Sequence, residues 1–180
     1  KNISLEGYLF PDTYRFFKDS ELSDVVSKMI SNLDSKLTPD LKAAIKNSSR
    51  STFEILTIAS LIEKEIKSDA DREIVSGILW KRLRAGIPLQ VDATLVYITG
   101  RQEIYQTDKK INSPYNTYYY RGLPKGPIAN PGLSAIKAAI FPEDSSYWYY
   151  LSAKNGATIF SKTLEEHNKN KAIYLKWKNI

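Results

Sequence analysis

Ser51-Thr52-Phe53-Glu54-Ile55-Leu56-Thr57-Ile58-Ala59-Ser60-Leu61-Ile62-Glu63-Lys64-Glu65-Ile66 is the stretch on which the fold reading turns. Ser51, with Glu54 three residues on, has the spacing of a capping box, so a helix is predicted to start there. The apolar residues that follow centre on an arc near Ile55, Ile62 and Ile66, the pattern of a helix laid against a core. Glu63 falls on one flank of that arc, beside Leu56 and Ala59, and Glu65 falls on the other, nearer Glu54. A carboxylate at the edge of an apolar face is partly desolvated, which raises its pKa towards the range a general acid needs. A boundary glutamate paired with Lys64 or Lys67 gives the same pattern, so spacing alone leaves both roles open.

Working outward, Ser68 and Asp71 offer a cap for a second helix that carries Ile74, Val75, Ile78, Leu79 and Leu83 and stops at Gly86. Upstream, Ser20 opens a helix whose Leu22, Val25, Val26, Met29, Ile30 and Leu33 form one apolar stripe, and Thr38-Pro39 starts a short helix to about Lys46. Ile3–Phe10 alternate loosely and end at Pro11-Asp12, which reads as a strand entering a turn. From Ile87 to Gly132 periodicity weakens between Pro88, Pro114, Pro124, Pro127 and Pro131, and Val91–Ile98 reads either as a strand or as a short helix capped by Asp92. A stretch this long without strong periodicity is more often functional than idle. Asn130-Pro131 is read as the cap of a helix through Ile140, Tyr147–Ser152 and Ala157–Phe160 flank the hairpin signal Asn155-Gly156, and Thr163 with Glu166 caps a last helix. The class is α+β: helix-rich, with an N-terminal strand and a C-terminal hairpin, in a single domain spanning 1–180.

Hydrophobic residues make up 42% and charged residues 26%, a globular balance. The formal net charge is +6, which favours anionic partners, but no nucleic-acid-binding motif appears and none is expected as a partner. There is no cysteine and one histidine, His167, so thiolate chemistry and a multi-histidine metal site are excluded and no metal is expected. Catalysis, if present, must lean on carboxylates. No apolar run approaches the ~20 residues of a membrane span, and the abrupt start at Lys1-Asn2-Ile3 suggests a fragment whose anchor would lie upstream.

Aromatic residues are dense at Tyr115, Tyr118, Tyr119 and Tyr120 and again at Tyr147, Trp148, Tyr149 and Tyr150. Such rings line sugar grooves, although packing is the better reading for most of Tyr147–Tyr150. Gln90 and Asn116 are neutral polar residues that could bond a sugar or acetamido group, or simply hold a turn. His167, near the start of the last helix, reads as a surface or interface residue.

Several blocks together carry a resemblance. Leu5-Glu6-Gly7-Tyr8-Leu9-Phe10-Pro11-Asp12-Thr13-Tyr14, Ala59-Ser60-Leu61-Ile62-Glu63-Lys64-Glu65, Arg82-Leu83-Arg84 and Leu89-Gln90-Val91-Asp92-Ala93-Thr94 come first. Ser113-Pro114-Tyr115-Asn116-Thr117-Tyr118, Gly122-Leu123-Pro124-Lys125-Gly126-Pro127-Ile128-Ala129-Asn130-Pro131-Gly132 and Phe160 with Glu166-His167-Asn168 follow. In this order they resemble the endolytic murein transglycosylase family, the MltG or YceG-like proteins, over nearly the whole chain. Val91 and Ala93 depart from it, standing where many relatives have Thr and Pro.

The resemblance implies a lytic transglycosylase that cuts the MurNAc-β-1,4-GlcNAc bond within nascent peptidoglycan strands and leaves 1,6-anhydro ends. It implies Glu63 as acid then base, with Glu65 in a supporting role, and Gln90, Asp92, Asn116, Tyr118 and Glu6 as substrate-binding residues beside Glu63. No cofactor is expected. Partners would be glycan strands and cell-wall synthesis proteins, at the extracytoplasmic face of the bacterial cytoplasmic membrane. A membrane anchor and a LysM-like domain are expected upstream. Two other readings stay open: a non-catalytic peptidoglycan-binding scaffold, and a hydrolase that adds Asp92 as a second carboxylate.

Overall fold

The computed structural model describes residues 4–153 and 155–175. Seven helices occur among them: α1 (Leu22–Lys36), α2 (Pro39–Asn47), α3 (Thr52–Glu65), α4 (Asp69–Arg84), α5 (Asp92–Thr99), α6 (Leu133–Ile140) and α7 (Leu164–Tyr174). A 3-10 turn at Asp108–Lys110 and an antiparallel pair, β1 (Tyr149–Ser152) and β2 (Thr158–Ser161), complete the set. The α+β reading holds.

Helix α3 is the hub. Its capping box forms in both directions: Glu54 N–H donates to Ser51 Oγ and Ser51 N–H donates to Glu54 Oε2, at 3.2 and 2.7 Å. Every residue from Ile55 to Ile62 is buried, so the helix is covered all round at its middle rather than along one arc. It packs against α6, α4 and α5. Its polar residues are absorbed locally: Thr57 Oγ1 donates to Phe53 O, and Ser60 Oγ donates to Thr57 O while accepting Ile128 N–H. Small residues on α6, Ala135, Ala138 and Ala139, let it approach α3 and α4 closely, and Trp80 Nε1–H of α4 donates to Ala139 O. Each fully buried Leu or Ile here contributes roughly 1.5–3 kcal/mol relative to exposure.

The predicted caps at Thr38, Ser51, Ser68 and Thr163 are all present. Three expectations are corrected. Residues 4–10 form a turn, closed by Tyr8 N–H to Leu5 O, instead of the N-terminal strand; Ile3 lies outside the described residues. The reason is that Gly7 and Leu9 N–H donate to the side chain of Asn130, leaving them nothing to give a neighbouring strand. Gly7 has φ +89°, and a Cβ there would collide with the Pro127 ring, so only glycine fits. Asn130, thus engaged, is not the cap of α6; Gly132 is. Residues Asp92–Thr99 are helical, and Val91, not Asp92, stands at the cap position.

The hairpin signal is borne out, with Tyr150 opposite Phe160 and Leu151 opposite Ile159. Ser152 Oγ donates to Glu65 O and ties the hairpin to the end of α3. The irregular 100–132 region is held from within. Asn116 Nδ2 donates to the carbonyls of Asp108, Lys109 and Ile111, and its Oδ1 accepts N–H from Tyr118 and Tyr119.

Candidate active-site groove

The last turn of α3, the first turn of α5, the loop before α5, β1 and one face of α7 surround a groove of about 460 Å³. Glu65 is at its floor. The Glu65 carboxylate accepts one hydrogen bond, from Ala93 N–H in the first turn of α5, at 2.8 Å. Burial pushes its pKa up to about 7; the Ala93 bond works against that rise and the Asp92 charge adds to it. A carboxyl that is half protonated near neutral pH can both give and take a proton.

Around Glu65 the groove is built from short-range ties. Asp92 accepts a hydrogen bond from Tyr118 Oη at 2.5 Å. The Tyr118 hydroxyl is held protonated by burial and by Asp92. Gln90 sits at φ +55°, an uncommon conformation for a residue with a side chain. Two contacts hold it there: its N–H donates to Thr117 O, and its Oε1 accepts from Arg82 Nη2 at 2.8 Å. Arg82, on α4 and only 6% exposed, also donates to Pro88 O and Trp148 O, so one guanidinium joins α4, the Gln90 loop and the hairpin. Tyr149 and Tyr150 also line the groove, and burial raises the Tyr150 hydroxyl's pKa well above its usual value.

Of the residues singled out in the sequence, the structure brings Gln90, Asp92 and Tyr118 together with Glu65. Glu63 is elsewhere. Two residues along a helix is about 200° of rotation, and Glu63 points to the α6 side. There its Oε2 accepts Gly132 N–H at 3.2 Å and its Oε1 lies 3.7 Å from Arg72 Nη2. A carboxylate at a helix N-terminus paired with an arginine is a stabilising tie, already satisfied by protein groups. Asn116 is 1% exposed and fully committed to backbone partners, so it shapes the loop and does not line the groove. Glu6 accepts the Tyr97 hydroxyl at 2.6 Å, outside the groove lining.

Sequence reasoning gave no role to Arg82, Lys109 or Lys171, preferred packing for most of Tyr147–Tyr150 and read His167 as a surface or interface residue; Arg82, Lys109, Tyr149, Tyr150, His167 and Lys171 all line the groove. His167 is not a surface residue. It is 8% exposed, its ring stacks on Tyr149 at 5.1 Å, and burial together with Lys171 and Arg82 lowers its pKa to about 4. Arg82 did carry a signal, a cation one residue before Leu83 inside the apolar pattern of α4. Among the described residues no cluster of acidic or histidine side chains has the arrangement of a metal site.

A family model described as the YceG-like family matches residues 1–173. A protein of Bacillus subtilis strain 168 named endolytic murein transglycosylase is 43% identical over 99% of this chain and 51% of its own length. One of Streptococcus pneumoniae D39 with the same name is 33% identical over 95% of this chain and 32% of its own length. The chain therefore spans from about a third to about half of the length of the curated relatives it matches. The crystal structure of a YceG-like protein from Listeria monocytogenes matches with a TM-score of 0.86 and 39% identity, covering 92% of this chain and 55% of that one.

Proposed function

The chain belongs to the YceG-like family, and from that premise we propose that it is the catalytic domain of an endolytic murein transglycosylase in which Glu65, not Glu63, is the acid and then the base. The observation that carries the reading is the Glu65 carboxyl itself. It lies at the floor of a groove, accepts a single hydrogen bond, has its pKa raised to about 7, and stands beside Gln90, Asp92 and Tyr118. A purely binding module has no need of so poorly solvated a carboxyl group.

The substrate is the β-1,4 bond between N-acetylmuramic acid and N-acetylglucosamine in a glycan strand. Protonated Glu65 donates to the glycosidic oxygen, the bond from the muramoyl C1 to that oxygen breaks, and positive charge develops on the sugar ring. Asp92, which accepts the Tyr118 hydroxyl, stabilises that charge from beside Glu65. The Glu65 carboxylate then takes the proton of the muramoyl 6-hydroxyl, whose oxygen bonds to C1 and closes the 1,6-anhydro ring. No water is consumed, because the nucleophile is already part of the substrate. Tyr149 offers a flat wall for the sugar. The reaction belongs at the outer face of the cytoplasmic membrane, where the strands are made, with cell-wall synthesis proteins as neighbours. No helix among the described residues is long and apolar enough to cross a membrane.

The nearness of Asp92 to Glu65 favours one rival, a hydrolase in which Asp92 activates water. Turnover of purified glycan strands tests the assignment of Glu65. Glu65→Gln should lose about 10³-fold or more in rate, the range for removal of a general acid, while Glu63→Gln keeps most of its activity. The reverse order would return the role to Glu63.

A further inference from the structure

Two carboxylates, Glu65 and Asp92, and four cationic or basic side chains, Arg82, Lys109, His167 and Lys171, line the groove. Two of these are already accounted for. Arg82 is spent on Pro88 O, Trp148 O and Gln90, and His167 is neutral at physiological pH. Lys109 and Lys171 remain, and neither has a carboxylate within 4.0 Å among the described residues.

Both ammonium groups are presented by rigid elements. Lys109 sits in the 3-10 turn whose carbonyls Asn116 holds, and its ammonium rests 5.0 Å from the Tyr118 ring centre. Lys171 follows His167 by one turn of α7, and the His167 ring is stacked on Tyr149. Burial and the proximity of Lys109 lower the pKa of Lys171, and Asp92 raises it. Two cations drawn together in a half-buried groove repel each other, and a further anion bound between them relieves that repulsion.

Building on the proposed function, we propose that Lys109 and Lys171 form an anion subsite that takes a carboxylate carried by the substituent on the muramoyl sugar. The sugars themselves bear only hydroxyl and acetamido groups. The anions available on a glycan strand are the carboxylates of the peptide attached through the lactyl group, or the lactyl carboxylate where the peptide has been removed. The subsite makes the enzyme read the substituent beside the bond it cuts.

Equilibrium binding of a disaccharide ending in the muramoyl sugar tests this without any cleavage, since that ligand lacks the scissile bond. Three ligands are compared: one with free peptide carboxylates, one with those carboxylates converted to methyl amides, and one with a bare lactyl carboxylate. The wild type should bind a carboxylate form about tenfold more tightly than the amide, as expected for two half-buried charge contacts. The carboxylate ligand that binds more tightly identifies which group is read. Lys109→Gln with Lys171→Gln should reduce the preference to less than twofold, added salt should weaken it, and Lys109→Arg with Lys171→Arg should keep it. An equal preference in the glutamine double variant, or no preference in the wild type, overturns the subsite. An inactive protein that still discriminates would overturn the cleavage reading and leave the subsite standing.

Discussion

Glu65→Gln exchanges a carboxyl group for an amide of nearly the same shape at the floor of the groove, and the amide oxygen can still accept the Ala93 N–H. The pKa of Glu65 rises from 4.5 to about 7 on folding. Each unit is about 1.36 kcal/mol, so the whole shift corresponds to about 3 kcal/mol. Water reaches the carboxyl through the open groove, which reduces the expected effect to about 1–2 kcal/mol. The sign follows from the raised value. Below pH 4.5 both folded and unfolded states hold the proton and the wild type carries no penalty. Between pH 4.5 and about 7 the unfolded state ionises first, and the wild type loses stability that the glutamine variant keeps. The variant should therefore equal the wild type near pH 4.5 and exceed it at pH 8. Urea unfolding at both pH values is the assay, with the midpoint gap opening by about 0.5–1 M at pH 8. A gap that does not change with pH, or a variant less stable than the wild type at pH 8, would refute the burial argument.

Three further outcomes follow from the same geometry. The value of kcat/KM should fall above an apparent pKa near 7, the value for Glu65, because the chemistry starts from the protonated acid; Ala93→Pro, which removes the donor to Glu65, should move that limb up by about one unit, whereas a limb left near 4.5 would detach the chemistry from this carboxyl. Glu63→Ala should cost about 1–2 kcal/mol in thermal unfolding, since it leaves Gly132 N–H without its partner and takes one carboxylate from Arg72, which keeps Ile66 O and Asp69, and Glu63→Gln should cost less. Asn116→Ala should cost about 3 kcal/mol or more and speed amide exchange across residues 105–120, because it strips partners from several buried backbone groups at once.

Local rules carried most of the fold. Ser51, Thr38, Ser68 and Thr163 announce their helices because a cap is decided within four residues, and Asn155-Gly156 announces the hairpin for the same reason. Residues 4–10 misled because their partner, Asn130, lies more than 120 positions away. Asn130 misled in turn, since Asn followed by Pro reads as a cap when its side chain is in fact occupied by Gly7 and Leu9. The site divides in the same way. Gln90, Asp92 and Tyr118 could be named from their blocks, but Glu63 and Glu65 lie almost symmetrically about the apolar arc. Which flank opens on the groove depends on where the β1–β2 hairpin and α7 come to rest, a long-range fact with no local trace. Asn116 looks like a sugar ligand in sequence because its carboxamide suits a sugar and a turn equally well, and only the five backbone contacts decide between them.

Mass spectrometry of the products from purified glycan strands digested in heavy-oxygen water tests the central claim most directly. If Glu65 works alone with the muramoyl 6-hydroxyl as nucleophile, the new muramoyl ends are anhydro sugars, lighter than the hydrolytic ends by one water, with no label incorporated. Labelled reducing muramoyl ends would contradict that account and make Asp92 the base of a hydrolase.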